Sequence, residues 1–291
     1  MNKKGILFIL AAAVLWGTTG TAQALAPAGA RPLGIGTLRL LVGGATLMLY
    51  YLTRQKATGN LPRSRLPVGP VLLAAACMAA YQVLFFAGVA RTGVAVGTMV
   101  GIGSSPILAG ILGFLTRGER PGRYWGLATL LAVAGCALLA LAGKEIQVDP
   151  FGLLLAVGAG AAYATFSLTS KGLLEQQPVE RVMAAIFGLG AVLLLPLLLT
   201  QDLSWLLQPG GIITVLHLGL LATALAYIFF GQGLLLTPLA TAVTLSLAEP
   251  LTAALLGVTL LGEKLTLPAG LGIALIFSGL AILSLQKPKR V

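Results

Sequence analysis

Apolar residues run through this chain in blocks of about twenty, each closed by a short polar or glycine- and proline-bearing break. A helix of that length rises about 30 Å, the thickness of a bilayer's hydrocarbon core. Inside the blocks apolar and polar positions do not alternate, so they do not read as the strands of a membrane barrel. The pattern predicts ten transmembrane helices, near 5–23, 32–53, 68–90, 94–116, 122–142, 151–171, 181–200, 210–234, 238–261 and 266–285. Connections such as Arg91-Thr92-Gly93 and Thr237-Pro238 leave no room for a soluble insertion and force neighbouring helices antiparallel.

The blocks repeat. Pro106 to Leu141 aligns with Pro250 to Leu285 at a constant offset of 144. Pro106 meets Pro250, Gly113 meets Gly257, Gly118-Glu119 meets Gly262-Glu263, Gly126 meets Gly270 and Gly135 meets Gly279. The same offset carries Phe85-Phe86 onto Phe229-Phe230, and an offset of 147 carries Gly5–Gly20 onto Gly152–Ser167, with Trp16 on Tyr163. The N-terminal block has some features of a signal peptide: Asn2-Lys3-Lys4, an apolar run, then Ala22-Gln23-Ala24. A removable leader has no reason to be repeated, so the block is expected to remain as span one. The chain then divides into a five-helix repeat over 1–148 and a second over 149–291. Five is odd, so the second copy enters the membrane inverted, an arrangement typical of secondary transporters.

Composition agrees: 57% of the 291 residues are hydrophobic and 9% charged, with a mean hydropathy of +0.97. A net charge of +11 raises nucleic acid as a partner, but the basic residues are spread over short connections and not gathered on one face. Fourteen Lys and Arg fall on one side of the predicted membrane: Lys3, Lys4, Arg54, Lys56, Arg63, Arg65, Arg117, Arg120, Arg123, Lys171, Arg181, Lys287, Lys289 and Arg290. Arg31, Arg91, Lys144 and Lys264 fall on the other. The richer side is expected to be cytoplasmic, with both termini inside and the chain multi-pass in a cell's inner membrane. The twin glutamate turns carry opposite charge bias, as inverted copies should. Cys77 and Cys136 lie within apolar blocks and read as packing residues, with neither a disulfide framework nor a metal site implied. No cofactor is implied either.

The residues that could carry chemistry are few. Pro106 and Pro250 sit near the middle of spans four and nine, where each removes a backbone donor and frees the carbonyl four residues earlier, on Ile102 and Ser246. With Gly101 and Gly103 they form candidate hinges, and unwound backbone is tolerated in a bilayer where it faces protein or a water-filled cavity. The competing reading is a static kink. Glu249 is the single acidic residue deep within a span, at a cost of roughly 2.5–3.5 kcal/mol on insertion scales, so it is a candidate for holding an ammonium group or a proton. Its repeat counterpart is Ser105. Arg39 is the single base within a span: it is a candidate charge partner for a carboxylate, or else snorkels outward. His217 reads as packing or hydrogen bonding. Ala12, Trp16, Thr19 and Gln23 share a helix face, as do their counterparts Ala159, Tyr163, Phe166 and Ser170. Tyr81, Gln82, Phe85 and Tyr227 extend this aromatic and polar surface, which suits an amphipathic solute. Tyr50, Tyr51 and Trp205 read better as anchors at the membrane interface.

Phe85-Phe86, Ser105-Pro106, Gly118-Glu119-Arg120 and Gly126 to Gly135, doubled as Glu249-Pro250 to Gly279, resemble the EamA-type modules of the drug/metabolite transporter superfamily. The resemblance covers essentially the whole chain. It implies ten helices in an inverted repeat, a central cavity lined by spans one and six and the proline-bearing helices, and export of metabolites, most often amino acids. Within the superfamily the chain looks most like the aromatic amino-acid exporters. It differs from small four-helix multidrug exporters, which use an acidic residue in span one, and from sugar-phosphate and nucleotide-sugar carriers, which need several cationic groups.

The expectation is a transporter and not an enzyme. It would export amino acids or related small amphipathic metabolites by alternating access, with the lipid bilayer as its environment and protons as a candidate coupling ion. A multidrug or other metabolite carrier of the same fold is the nearest alternative. An intramembrane enzyme would need a catalytic pair, and the sequence offers Glu249 and His217 with no argument that they meet. A channel would not need symmetric kinks.

Overall fold

The computed structural model describes residues 2–58, 65–141, 149–262 and 264–285. Arg63, Lys144, Glu263, Lys287, Lys289 and Arg290, which entered the charge and repeat arguments, lie outside them. The ten predicted spans are present as helices: α1 Lys3–Ala24, α2 Pro32–Ala57, α3 Val68–Gly93, α4 Val96–Arg117, α5 Trp125–Ala140, α6 Pro150–Leu174, α7 Val179–Leu198, α8 Pro209–Leu236, α9 Leu239–Leu260 and α10 Leu267–Ser284. Nine are long and apolar enough to cross a bilayer, and α5 is shorter. α3 and α4 are joined through Gly93, whose φ of +80° lies in the left-handed region that a side chain disfavours. The repeat extends to the caps. Asn2 Oδ1 accepts from Lys4 N at 3.0 Å and starts α1, and Asp149, its counterpart at offset 147, accepts from Phe151 N at 3.0 Å and starts α6.

Two helices are irregular. α8 carries a π-helical stretch, His217–Leu225, where Gly219 and Thr223 press against Val42 and Gly43 of α2. α9 is interrupted: a short helix Leu239–Leu245 ends at Ser246-Leu247, and helix resumes at Ala248. Pro250 has no N–H to offer the Ser246 carbonyl, which accepts instead from Glu249 N at 2.9 Å in a tighter turn. The unwinding expected at both prolines occurs at this one alone. α4 remains helical through Pro106, and Ser105 Oγ donates to Gly101 O at 2.9 Å inside the turn before it.

The repeats do not fold as separate bodies. α1 packs on α8 and α9, and its counterpart α6 packs on α3 and α4; α2 packs on α7 and α5 on α10. These principal contacts all cross from one repeat to the other, in the pattern a two-fold axis in the membrane plane generates. Small residues permit the closeness. A Cβ on Gly5 would lie 2.7 Å from Leu236 Cβ, and one on Gly152 would lie 2.6 Å from Thr92 Cγ2, at the matching crossing. The core gathers where the copies interlock, around Ile9, Trp16, Phe166, Met183, Phe187, Tyr227 and Phe230.

Trp205 does not anchor at an interface. It is 2% exposed and packs with Ile35, Val215 and Leu218 in a second, smaller core, because the turn before α8 folds back over the start of α2. Tyr50 is exposed, as an anchor should be.

Candidate functional site

Between the two repeats lies a cavity of about 740 Å³. Its inner end is reached first by the face of α1 that carries Trp16 and Thr19, since residues three apart point the same way. Tyr81, Gln82 and Phe85 come from α3, Ser105 from α4, Tyr163 from α6 and Tyr227 from α8. The break in α9 contributes Ser246, Leu247, Glu249 and Pro250. Toward the opposite end the wall passes to Gln23 and Ala24 at the end of α1, Pro32 at the start of α2, and Lys264 and Thr266 before α10. The cavity therefore extends to the face of the bundle where α1 ends and not to the face where it begins.

The inner wall is aromatic. The Trp16 ring lies 4.9 Å from Tyr227, 5.3 Å from Phe230 and 6.5 Å, edge-on, from Tyr163. Tyr163 lies 5.7 Å from Tyr81, which stacks on Phe85 at 5.7 Å. Such contacts hold the rings in fixed orientations and leave their polar ends to be satisfied separately. Several are not. Among the described residues Trp16 Nε1 and Thr19 Oγ1 are buried without a hydrogen-bond partner, and so is Arg39 Nε. The Tyr163 hydroxyl faces Ser246 without closing a hydrogen bond of good geometry. Orphan polar groups are unusual in a folded protein, and these lie buried just behind the cavity wall.

Arg39 and Glu249 both line the cavity, on α2 and at the break in α9. Among the described residues neither has an ion-pair partner, although each is partly buried. Arg39 lines the cavity, and three residues earlier on α2 Gly36 O accepts from Gln82 Nε2 at 3.3 Å, which ties this part of the helix to α3. An arginine and a carboxyl thus face one partly apolar space with no ion pair between them among the described residues, and that arrangement can hold a small molecule carrying both signs.

Most of the site residues expected from sequence meet here. Phe166 does not: it is fully buried behind Tyr163 and Tyr227, packing 6.1 Å from Phe187 and 6.5 Å from Phe230, so it supports the wall from the second layer. Its helix face is shared with Tyr163, but α6 is turned so that α7 and α8 cover Phe166. Gly101, Gly103 and Pro106 lie outside the lining, although Ser105 between them is in it. His217 is a hydrogen-bonding residue, with Nε2 2.8 Å from Thr18 Oγ1. The wall also takes Thr98, Met99 and Ile102 from α4, and Cys136 and Leu139 from α5. The sequence marks Ile102 for its freed carbonyl and Cys136 for packing, and none of the five as lining, because small and apolar residues in an apolar helix carry no mark of which face meets a cavity; the spacing of 98, 102 and 105 on one face was the available signal.

On the opposite face the bundle is closed by an ionic network. Glu119, in the turn after α4, accepts from Leu239 N through Oε2 at 2.6 Å. Its Oε1 lies 3.0 Å from Lys171 Nζ and 3.1 Å from Arg117 Nε. Lys171 Nζ donates also to Thr237 O at 2.6 Å, and Arg117 pairs with Glu175. Burial works to raise the Glu119 carboxyl, but the Leu239 N–H, Lys171 and Arg117 outweigh it and hold the group below the usual carboxylate range.

Comparison with known proteins fits this geometry. The model of the EamA-like transporter family matches residues 3–141 and again 150–285. A transporter of Bacillus subtilis, YwfM, is 48% identical over 98% of this chain and 95% of its own. The inner membrane transporter YicL of Salmonella typhimurium is 26% identical over 99% of this chain and 98% of its own. The threonine/homoserine exporter RhtA of Escherichia coli is 29% identical over 90% of this chain and 84% of its own. A protein of known crystal structure, 22% identical, superposes with a TM-score of 0.83 over 97% of this chain and 96% of its own, which shows a shared fold.

Proposed function

The chain belongs to the EamA-like transporter family, and from that premise we propose that it exports amino acids or closely related amphipathic metabolites by alternating access. The observation that carries this reading is that Arg39 and Glu249, without an ion pair between them among the described residues, face one cavity whose inner wall is largely aromatic. An α-amino acid presents a carboxylate, an ammonium and a side chain. Arg39 takes the carboxylate, Glu249 takes the ammonium, and Trp16, Tyr81, Phe85 and Tyr163 receive the side chain. The Ser105 and Ser246 hydroxyls, which donate to Gly101 O and Ala242 O, can still accept a hydrogen bond, and the unpartnered Trp16 and Thr19 groups lie beside the same wall. The abundance of rings favours larger apolar side chains. The name of the relative RhtA, an exporter of threonine and homoserine, supports amino acids as the class without narrowing the side chain.

The lysine- and arginine-rich face, where α1 begins, is placed in the cytoplasm, so the cavity opens away from it toward the exterior of the inner membrane. The 1–148 and 149–291 repeats provide the two related arrangements, and the break at Ser246-Leu247 supplies the hinge, with Gly101, Gly103 and Pro106 as its helical counterpart in α4.

The test is exchange of labelled amino acids in proteoliposomes, with competition by the parent amino acid, its decarboxylated amine and its deaminated acid. Saturable exchange is expected, with both single-charge analogues at least about tenfold weaker than the zwitterion, the effect of one lost charge-assisted contact. Unsaturable flux would indicate a channel, and no flux for any amino acid would remove the proposed class. Glu249 facing the same space also supports a proton-coupled reading. In that case Glu249→Gln abolishes the response of transport to a pH gradient, beyond the loss of ammonium affinity read in exchange, and unchanged gradient dependence in the variant excludes it.

A further inference from the structure

The network on the face where α1 begins joins segments that are far apart in sequence and belong to different repeats. Glu119 stands in the turn between α4 and α5, Lys171 near the end of α6, Thr237 in the turn between α8 and α9, and Leu239 at the first position of α9. Lys171 is 7% exposed, and its ammonium is held by one carboxylate and one backbone carbonyl. Glu119 in turn holds the first N–H of the short α9 segment whose far end is the broken, cavity-lining turn at Ser246. One carboxylate therefore ties α4 and α6 to the start of the helix that carries Glu249 at its break.

We infer that Glu119 and Lys171 form a latch that keeps this face closed, and that the latch must open for the cavity to be reached from that side. Three features support a latch over a static brace. The cavity extends to the opposite face alone, so closure and network coincide. The contacts are ionic, short and made to backbone groups of a turn, so they are lost together when that turn moves. The network is also not symmetric. The residue corresponding to Lys171 at offset 147 is Ala24, which lines the cavity's open end. Among the described residues a buried ammonium is found at this face, where Lys171 stands, while Lys264 at the other is exposed, and Lys171 biases the resting protein toward the conformation seen here. Arg117, paired with both Glu119 and Glu175, orients the carboxylate.

Accessibility of a cysteine at the inner end of the cavity tests this without any substrate, so it stands or falls independently of the proposed cargo. In a protein with Cys77 and Cys136 replaced by serine, Ser246→Cys is labelled with a membrane-impermeant maleimide applied from either side of oriented proteoliposomes. Labelling is expected from the side where α1 ends. Adding Glu119→Gln or Lys171→Met is expected to raise labelling from the opposite side by about tenfold, the weight of one charge-assisted hydrogen bond on a two-state equilibrium. Lys171→Arg, which keeps the charge, is expected to retain most of the original sidedness. Unchanged sidedness in monodisperse Glu119→Gln and Lys171→Met proteins overturns the latch, as does an equal rise from both sides, which would report general loosening. Should either variant fail to fold, Arg117→Gln carries the same reading, with a smaller shift toward the closed face expected and no shift overturning it.

Discussion

Glu249 and Arg39 mark the residue scale, because a charge inside a membrane protein is retained only where it is paired or used. Neither has an ion-pair partner among the described residues, and both line one cavity. Arg39→Gln is therefore expected to weaken competition by amino acids and by deaminated acids while leaving amines nearly as effective; Glu249→Gln should weaken amino acids and amines while leaving deaminated acids nearly as effective. The measurement is half-maximal inhibition of exchange for the three ligand types in each variant, and equal losses for all three would contradict the assignment. Glu119 belongs to the same scale but to the closed face. Its carboxyl is held low in the closed state by Leu239 N–H, Lys171 and Arg117 against the opposing effect of burial. A carboxylate with a lowered native value contributes above its ordinary value, and the contribution is lost as pH falls through the lowered one. Closure should thus be flat across neutral pH and fail only below the ordinary carboxylate range. Side-specific labelling against pH checks this, and Glu119→Gln should remove the acid dependence.

At the scale of elements, α9 and α4 show how one sequence feature has two outcomes. Each carries a proline at an equivalent position, and each proline leaves a carbonyl four residues earlier without its usual donor. In α9 the chain tightens, Glu249 N satisfying Ser246 O, and the helix breaks; α4 stays helical, its Ser104 and Ser105 hydroxyls turned to Gly101 O. Pro250→Ala restores the missing donor and should let α9 run straight, withdrawing Glu249 from its place. Transport is expected to fall severalfold while thermal stability changes by no more than about 1 kcal/mol, within the ordinary range for a compatible backbone substitution. Transport at the parent rate with a straightened helix would show that the break is not used. The α5–α10 crossing is more rigid: a Cβ on Gly279 would lie 2.6 Å from Ala128 O, and one on Gly135 would lie 2.6 Å from Gly272 O. Gly279→Val should cost about 1–3 kcal/mol by overpacking, read as a lowered midpoint in detergent thermal unfolding.

The whole molecule is two interlocked copies. Since α1 packs on α8 and α9, α6 on α3 and α4, α2 on α7 and α5 on α10, neither half buries its helices alone. Residues 1–148 or 149–291 expressed separately should fail to give a monodisperse protein, and the halves co-expressed should assemble, as judged by size-exclusion chromatography. A stable isolated half would mean that the interlocking is not needed for folding.

The number and place of the helices, the inverted repeat and most of the candidate site could be read from the sequence. Helix length against bilayer thickness is a local property, and a repeated pattern survives in the letters themselves. Trp16, Tyr163, Tyr81 and Glu249 stood out because aromatic and charged residues in mid-membrane are rare enough to be noticed. Tertiary structure alone decided which faces meet. It placed Phe166 behind the wall and Met99 in it, buried Trp205, broke one of two matched prolines and joined Glu119 to Lys171 and Leu239. Those outcomes depend on helix rotation and on contacts between segments more than fifty residues apart, such as Glu119 and Lys171. In a chain apolar on every side, the sequence carries little of that information.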